Sequence, residues 1–434
     1  MTLRKGHNMK LWWKRLIFPV AGMTVVGLVG VTLAASRTQI SARSAIRSFG
    51  HSNEEAAPRG VVSLGDRALA LAGGQAGAAE RPKMAEEVFK NVQALKGITV
   101  DDFMLTMGIM TSSLAFDCSD CHDKAGTTEV DWADDKNSPS NRKVIARRMV
   151  LMVQEINKTN FGGRQMVSCF TCHRNRDRPL TTPTMEMLYG EAVVEPDDFL
   201  PRGEATPSAD QVFDKYIAAI GGAQRVGTLT SYLAKATSEG FGGFGGTGTV
   251  TIYAKAPDKR STIIEFKQAA GGRDDNARTF DGRTGWIRTP LSVLGEYEIT
   301  GSERDGARLD AQVAFPTQIK TSLRNWRVSG TFSRISDREV WAVQGDGPRG
   351  TFATFYFDKE NGMLLRMLRY GPSPIGRIPT QVDYSDYRDV GGIKFPFKWS
   401  FAWLDGRDTI TLSEIRTNVP IDDARFGKPS TAKQ

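Results

Sequence analysis

Cysteine and histidine are scarce in this chain of 434 residues, which contains four of each. All four cysteines lie in two Cys-x-x-Cys-His segments, residues 118–122 and residues 169–173. No cysteine is left for a structural disulfide or for a lipid near the N-terminus. Besides the two motif histidines the chain has only His7 and His51. Few candidate ligands therefore remain for any metal that the motifs bind.

A dense block of Lys and Arg with interleaved aromatic residues is also missing, which argues against nucleic acid as a partner. The formal net charge is nevertheless +8, so acidic proteins or anionic membrane surfaces are favoured instead. The hydrophobic content of 40% and the charged content of 24% are typical of folded, soluble protein. The length allows two or three domains of ordinary size.

The two motifs have the spacing of a covalent haem attachment site. Two thiols three positions apart can join the two vinyl groups of one porphyrin, and the following histidine then reaches the iron from the proximal face. Cys-x-x-Cys-His is the sequence signature of c-type haem. We therefore predict two haem c groups per chain. The residues concerned are Cys118, Cys121, Cys169 and Cys172 for covalent attachment, and His122 and His173 for the iron.

Two other interpretations of the four cysteines stay open at this point. Together they could bind one zinc ion, although the interval between the pairs is long for a compact zinc ribbon and zinc does not explain both histidines. Alternatively the pairs could form short disulfides or a thioredoxin-like redox site.

The first 36 residues have the pattern of an export signal. Basic residues between positions 4 and 15 precede an apolar stretch, residues 16–35, and small residues follow at the end of that stretch. This pattern predicts a cleaved signal peptide or a membrane anchor, because the stretch is just long enough to span a bilayer. In both cases the remainder is exported, so we expect a periplasmic protein that is membrane-associated if the helix is retained.

Residues 37–82 are rich in Ala, Gly, Ser and Arg, and we predict a flexible tether. A mainly helical domain is predicted for residues 83–180. Its expected helices are 84–95, 103–114 and 142–158, with a polar loop at 123–140. Each of the last two helices carries methionines and precedes a Cys-x-x-Cys-His motif, so the domain is an internal repeat.

Two features of these helices are specific enough to test. Asp101 is the expected N-cap of the second helix, and Phe103, Met107, Met110 and Leu114 share one face of it. The apolar face of the third helix is predicted from Ile145, Met149, Met152, Val153 and Ile156, and the helix should end at a glycine turn, Gly162-Gly163.

Several prolines mark residues 181–207 as a linker, and the chain changes character beyond it. Residues 208–430 begin with one predicted helix at 209–220 and continue as short strand-like runs separated by Gly, Asp, Asn and Pro. Such spacing indicates an antiparallel β domain with one helix. Examples of these runs are 248–254, 261–266, 285–289, 340–343, 351–357, 364–370 and 409–415.

The scarcity of histidine constrains the distal iron ligands. His7 precedes the apolar segment and His51 lies in the predicted tether, so methionine is the leading candidate for the sixth position. A thioether is a common partner of histidine in cytochromes c. Methionine is also a frequent core residue, so composition alone does not say which one binds.

Residues 103–122 (FMLTMGIMTSSLAFDCSDCH), 145–157 (IARRMVLMVQEIN) and 167–175 (VSCFTCHRN) resemble the photosynthetic reaction-centre cytochrome c subunit family. The resemblance covers about residues 83–180. In that family a helix with the axial methionine precedes each Cys-x-x-Cys-His motif. The resemblance therefore implies Met107 as the distal ligand of the first haem and Met149 as that of the second. Met104, Met110 and Met152 are the alternatives.

The chain departs from that family in several ways. The family subunit has four haems, a histidine distal ligand to one of them and a lipid-bearing cysteine, and it has no large β region. Residues 209–222 (ADQVFDKYIAAIGG) and 387–397 (YRDVGGIKFPF) more weakly resemble the LolA/LolB-like lipoprotein carriers. This second resemblance implies a half-barrel sheet around a helix that can hold a lipid; a docking or scaffold domain is the alternative.

The expected fold is thus multidomain α + β: an N-terminal signal or membrane helix, a mainly α dihaem cytochrome c domain, and a C-terminal antiparallel β half-barrel with a helix. The expected function is electron transfer rather than enzyme catalysis, with a membrane oxidoreductase or a soluble carrier as redox partner. The alternatives are a lipid-binding or scaffold protein that uses the haem unit as a redox sensor or docking module, and catalysis at an open haem.

Overall fold

The computed structural model describes residues 81–182, 206–240, 246–266, 275–289, 294–329, 333–404 and 406–429. The predicted export segment 1–36, nearly all of the predicted tether and most of the predicted linker lie outside these residues. The described residues belong to one compact unit, Gly77–Gln434. Among them, no helix is both long enough and apolar enough to cross a bilayer.

The N-terminal part of this unit is helical. It contains α1 (Ala85–Val88), α2 (Val100–Leu114), α3 (Arg142–Phe161) and α4 (Cys169–His173), with short 3-10 turns at Cys118–Asp120 and Pro139–Asn141. The predicted second and third helices are confirmed as α2 and α3. The predicted helix 84–95 is wrong beyond Val88, because Asn91 has a left-handed backbone (φ 62°) and its amide donates to Ala133 O and to Asp135, both at 2.9 Å.

The ends of α2 and α3 are set by local hydrogen bonds. Thr99, not Asp101, is the N-cap of α2, and its Oγ accepts from Asp102 N at 3.2 Å. Asp101 lies two residues after the cap, in the first turn of the helix, and is buried. Helix α3 continues three residues past its predicted end at residue 158, to Phe161, and the predicted glycine turn follows: Gly162 takes a left-handed conformation (φ 60°) that glycine tolerates well.

The C-terminal part is built on one antiparallel sheet. Its described strands run in the order β6-β5-β4-β3-β2-β1-β14-β13-β12-β11-β10-β9-β7, with β8 also paired to β9. The prediction of a large antiparallel β region is confirmed. The strands are β1 (Ser231–Gly240), β2 (Gly246–Lys255), β3 (Lys259–Phe266), β4 (Asp275–Phe280), β5 (Gly285–Arg288), β6 (Glu296–Ile299), β7 (Arg324–Val328), β8 (Ser333–Ile335), β9 (Arg338–Asp346), β10 (Phe352–Asp358), β11 (Leu364–Ser373), β12 (Gly376–Val390), β13 (Ile393–Trp403) and β14 (Gly406–Thr417).

In the described residues, four α-helices accompany the sheet rather than the single one predicted: α5 (Ala209–Ala219), α6 (Ala223–Val226), α7 (Gly301–Val313) and α8 (Ile319–Ser322). Helix α5 matches the predicted helix, and its Phe213 packs in the main core edge-on against Phe357 of β10. Helix α7 was missed because its apolar face is made of small residues and is interrupted by Gly306. That glycine is required, since the guanidinium of Arg369 occupies the place of a Cβ there.

The helical part and the sheet share a core. The turn between β11 and β12 carries Ile375, which is fully buried in a cluster with Leu95, Ile109 and Val150. Gln165 Nε2 donates to Ser373 O of the same turn at 2.6 Å. The hairpin tip therefore completes the apolar core of the region that carries the two motifs.

Candidate haem-binding site

The first Cys-x-x-Cys-His segment folds as a tight turn after α2. Asp117 caps it by accepting from Ser119 N at 2.7 Å, and residues Cys118–Asp120 form a 3-10 turn. His122 N donates to Cys118 O at 2.9 Å. The turn therefore brings the backbone of His122 close to that of Cys118, so that both thiols and the histidine belong to one compact turn.

The beginning of α3 holds this turn in place. Arg142 bonds the Asp120 carboxylate at 2.8 Å and its carbonyl at 3.0 Å, and its guanidinium lies 4.2 Å from the centre of the Phe116 ring. The buried Ser138 hydroxyl donates to Cys121 O at 2.9 Å. Both contacts fix the motif from the side of the following helix.

His122 lies in a partly buried, cationic environment. Its ring meets Trp132 edge-on at 5.0 Å between centroids, and its Nδ1 is buried without a hydrogen-bond partner. Burial, and next the Lys143 ammonium, lower the pKa of His122 below its ordinary value. The imidazole is therefore favoured in the neutral form that can bind iron.

Lys143 and Arg147 of α3 bind the polar loop that lies beside His122, residues 123–140. Lys143 is only 8% exposed, and its Nζ donates to Trp132 O at 3.0 Å and to Asp134 O at 2.7 Å. Asp135 pairs with Lys143 at 3.1 Å and with both Arg147 nitrogens at 2.8 and 3.0 Å. The Arg147 hydrogen bond is the largest of the interactions that hold the pKa of Asp135 well below its usual range.

The second motif forms a short helix, α4. Ser168 caps it through a hydrogen bond from Thr171 N at 3.3 Å. His173 Nδ1 lies 3.0 Å from the carbonyl oxygen of Arg176. Because a carbonyl oxygen only accepts, this bond requires the proton on Nδ1 and leaves the Nε2 lone pair for a metal.

Asn157, near the end of α3, positions this second motif. Its side chain is 7% exposed; its oxygen accepts from Met166 N and Val167 N, both at 2.9 Å, and its amide donates to Val167 O at 2.7 Å. The strand-like segment that enters α4 is thus fixed by one side chain. Its place at the end of a predicted helix, before a glycine turn, was the only sequence signal for this role.

None of the four cysteines forms a disulfide. Cys118 and Cys172 are exposed, whereas Cys121 and Cys169 are half-buried, and burial raises the pKa of the latter two thiols. Within the described ranges no group of three or more Cys, His, Asp or Glu is placed to share one metal ion. The four-ligand cluster that the zinc interpretation requires is not present there.

The structure places Met107 and Met149 on α2 and α3, both half-buried. Met107 and Met110 pack against the same apolar cluster as Cys169 of the second motif. The predicted face of α3 is only partly correct: Val153 is buried, but Ile145 is 47% exposed, and neighbouring Val150 and Asn157 face inward. Buried positions follow the tertiary contacts of α3, not its full apolar stripe.

The surroundings of the motifs fit a large apolar group. In the described part of the chain, large exposed apolar side chains concentrate between residues 145 and 180, beside the second motif. Such exposure is unusual for a soluble protein unless something covers it. The residues are Ile145, Leu151, Met152, Met166, Phe170 and Leu180. Together with the buried His122 Nδ1 and four cysteines that form no disulfide, they suit porphyrin faces.

Other functional side chains escaped the sequence analysis. Lys143, Asp135 and Ser138 have no pattern of their own, and only folding brings them to the first motif. Arg147 pairs with Asp135, while Arg148 is exposed. His7 and His51 lie outside the described residues.

A cavity of about 500 Å³ lies between the sheet, α2 and α7. Its walls include Met104 and Leu105 of α2 and the aromatic rings of Trp399 and Trp403. A buried charged cluster forms one side: Arg278 bonds Glu303 at 2.9 Å, and Asp101, Asp310 and Arg369 also line the space. Arg369 is 4% exposed, and its Nε and Nη2 lack hydrogen-bond partners.

Residues 47–188 match the family described as photosynthetic reaction centre cytochrome C subunit, which confirms the first resemblance. The corresponding subunit of Roseobacter denitrificans is 33% identical over 125 residues, 26% of this chain and 32% of that protein. The Rubrivivax gelatinosus subunit is 35% identical over 99 residues, 22% of this chain and 25% of that protein. The chain thus spans a third or less of these relatives' length.

Among solved structures, a DUF1329 family protein from Desulfovibrio piger is similar at 13% identity, covering 51% of this chain and 98% of its own, with a TM-score of 0.35. A LolA superfamily protein from Nitrosomonas europaea is 14% identical with the same coverage and TM-score. At such scores neither structure says what this chain binds.

Proposed function

We propose that the chain is a c-type cytochrome that transfers electrons through two covalently attached haems. The observation that carries the proposal is the pair of folded Cys-x-x-Cys-His turns, each with two cysteines outside any disulfide and one histidine. The match of residues 47–188 to a cytochrome c subunit family supports the same chemistry. The proteins named in that match are electron-transfer subunits, so no substrate bond is formed or broken.

The residues have separate roles in this proposal. Cys118 and Cys121 would attach one haem and Cys169 and Cys172 the other, with His122 and His173 as proximal ligands. Met107 and Met149 are proposed as distal ligands. When bound, each haem supplies a one-electron couple, and a thioether ligand makes its potential higher than a second histidine would. The chain's own contribution is to hold ligands, exclude water and tune the charge around each iron.

We further propose that the protein acts on the periplasmic side of a membrane and exchanges electrons with a membrane oxidoreductase or a soluble carrier. The match to reaction-centre subunits and the exported character predicted from residues 1–36 support this location. A reaction centre as the partner does not follow, because the matched relatives are covered only to 32% or less.

A pyridine haemochrome assay on the exported protein, combined with intact mass, tests the central proposal. We expect two haems per chain and a mass increase of two haem groups. Cys118→Ala with Cys121→Ala should remove one haem, and Cys169→Ala with Cys172→Ala the other. Zero or one haem in the unmodified chain would refute the proposal.

Lipid binding is a second candidate function, favoured by the cavity beside α2. Its walls are mainly aliphatic and aromatic, as in cavities that hold an apolar ligand, and Arg369 lies in it as a cation paired with Glu303 at 3.7 Å and Asp310 at 3.9 Å. Mass spectrometry of the native protein should then show co-purified lipid. Thr262→Trp, which fills the cavity, should lose it, whereas Thr249→Trp on the exposed face of β2 should retain it. Equal lipid content in both variants would exclude this site.

A further inference from the structure

The two proximal histidines share a motif but differ in what their Nδ1 atoms contact. His173 Nδ1 donates to the Arg176 carbonyl at 3.0 Å. His122 Nδ1 is buried and has no partner. A hydrogen bond from the outer nitrogen to a carbonyl raises the basicity of a metal-bound imidazole. A more basic ligand stabilises the oxidised metal, so this difference by itself favours reduction at His122.

Lys143 competes with His122 for the carbonyl beside the imidazole ring. The acceptor near its ring is the Trp132 carbonyl, and Lys143 Nζ donates to this carbonyl at 3.0 Å. The lysine thereby draws the acceptor's electron density toward itself. It also places a buried cation beside the histidine, and a cation stabilises the negative charge that one-electron reduction adds.

The charges around the two sites do not cancel this effect. Near His122, Asp135 opposes two cations, Lys143 and Arg147, so their sum stays positive. Asp120 is neutralised by Arg142. Near His173, Arg174 and Arg176 also supply positive charge, but both are exposed. Water and salt screen exposed charges far more than a buried ammonium.

We infer that Lys143 is a positioning residue that raises the reduction potential of the haem held by His122 above that of the haem held by His173. This inference rests on the proposed function and goes beyond it, because it states which of the two haems has the higher reduction potential. One electron distributed between the two sites would lie mainly at His122, and the site at His173 would pass electrons toward it.

Spectroelectrochemical titration of the full-length, haem-loaded protein tests the inference. Lys143→Gln should lower the higher of the two potentials and leave the lower one nearly unchanged. The equilibrium constant for electron sharing should change on the order of tenfold, as for a unit charge removed from about 10 Å inside a protein. Lys143→Arg keeps the cation and its donors, so it should restore most of the upper potential.

Lys158→Gln is the matched control, because it removes an exposed lysine from the other end of α3. It should move neither potential appreciably. An unchanged upper potential in Lys143→Gln, a shift confined to the lower potential, or an equal loss in Lys143→Arg would overturn the inference while leaving the dihaem function standing. Absence of haem from the unmodified chain would instead refute the proposed function, and this inference with it.

Discussion

At the scale of single residues, Asp101 shows how a site in the helical part depends on the sheet. Its Oδ2 accepts from Thr300 N at 2.9 Å, in a place from which water is excluded. Burial, and next the charge of Glu303, raise the pKa of Asp101 well above its usual range. The carboxyl therefore holds a proton in the folded protein at pH values where the unfolded chain has lost it.

We predict that Asp101→Asn raises the free energy of unfolding at neutral pH, on the order of 1 kcal/mol. Between the unfolded and the folded pKa the native Asp101 binds the extra proton, so stability falls as pH rises through this window. The amide keeps an acceptor for Thr300 and removes this dependence. Denaturant unfolding from pH 4 to 8 measures it, with the exposed Asp177→Asn as control. A variant whose pH dependence equals that of the parent would contradict the assignment.

The distal ligands are a second residue-scale prediction. Met107→Ala and Met149→Ala should each remove the methionine–iron charge-transfer absorption of one haem and lower that haem's potential, because a thioether ligand is lost. Optical titration of each variant measures both effects. Met104→Ala and Met152→Ala are the controls, and they should retain the absorption. If both haems stayed low-spin and kept the charge-transfer absorption in Met107→Ala or Met149→Ala, the distal ligand assigned to that methionine would be another residue.

At the scale of elements, α3 is the part that the two motifs share. Its first turn holds the first motif through Arg142 and Lys143, and its last turns hold the second through Asn157. A 20-residue helix is a stiff spacer. The two histidines are therefore fixed relative to each other by one element that contains neither of them.

Asn157→Ala tests this role. The substitution leaves two backbone N–H groups and one carbonyl without their partner, so we expect a loss of roughly 2 kcal/mol in the free energy of unfolding. Hydrogen exchange at Met166 and Val167 should accelerate, and the spectrum of the second haem should change more than that of the first. Asn160→Ala, on the exposed side of the same helix, should do neither. If the Met166 and Val167 amides were as protected from hydrogen exchange in Asn157→Ala as in the parent protein, this role of Asn157 would be disproved.

At the scale of the whole molecule, the motif region and the sheet are folded as one unit. Ile375, at the tip of the β11–β12 hairpin, is buried between Ile109 of α2 and Val150 of α3. Gly376 follows it at φ 158°, and a Cβ there would lie 2.7 Å from Ile109 Cδ1. The hairpin tip is thus shaped to enter the helical core, and residues 83–180 do not close that core by themselves.

Ile375→Ala should therefore destabilise the motif region from a distance. We expect a loss of about 3 kcal/mol, the usual cost of truncating a fully buried isoleucine. Faster hydrogen exchange along α2 and α3 would show where the loss occurs. Ile393→Ala, in the main core of the sheet, is the control and should accelerate exchange in its neighbouring strands first. If Ile375→Ala left α2 and α3 protected, the shared core would be refuted.

The sequence by itself determined the resemblance to a cytochrome c subunit family, the two long helices of the motif region and seven of the fourteen described strands, because these depend on local spacing. The two thiols and the histidine of each motif are close together in the sequence. Apolar residues recur at every second position in strands and about every 3.6 positions in helices, so both patterns are visible along the chain. It also yielded α5, whose capping residue and aromatic face are local. The bounds of the export segment, tether and linker stay predictions, since nearly all of those residues lie outside the described ones.

Only the tertiary structure decided the rest. Asn91 leaves the helical conformation to bond a loop more than forty residues away, and the small residues of α7 become a helix under the sheet. Lys143, Asn157 and Ile375 acquire their roles from partners that are distant in sequence or on another element. The difference between His122 and His173 has the same origin. The motif fixes where each histidine lies in the chain, but the fold fixes what its Nδ1 contacts, and long-range contacts have no local sequence pattern.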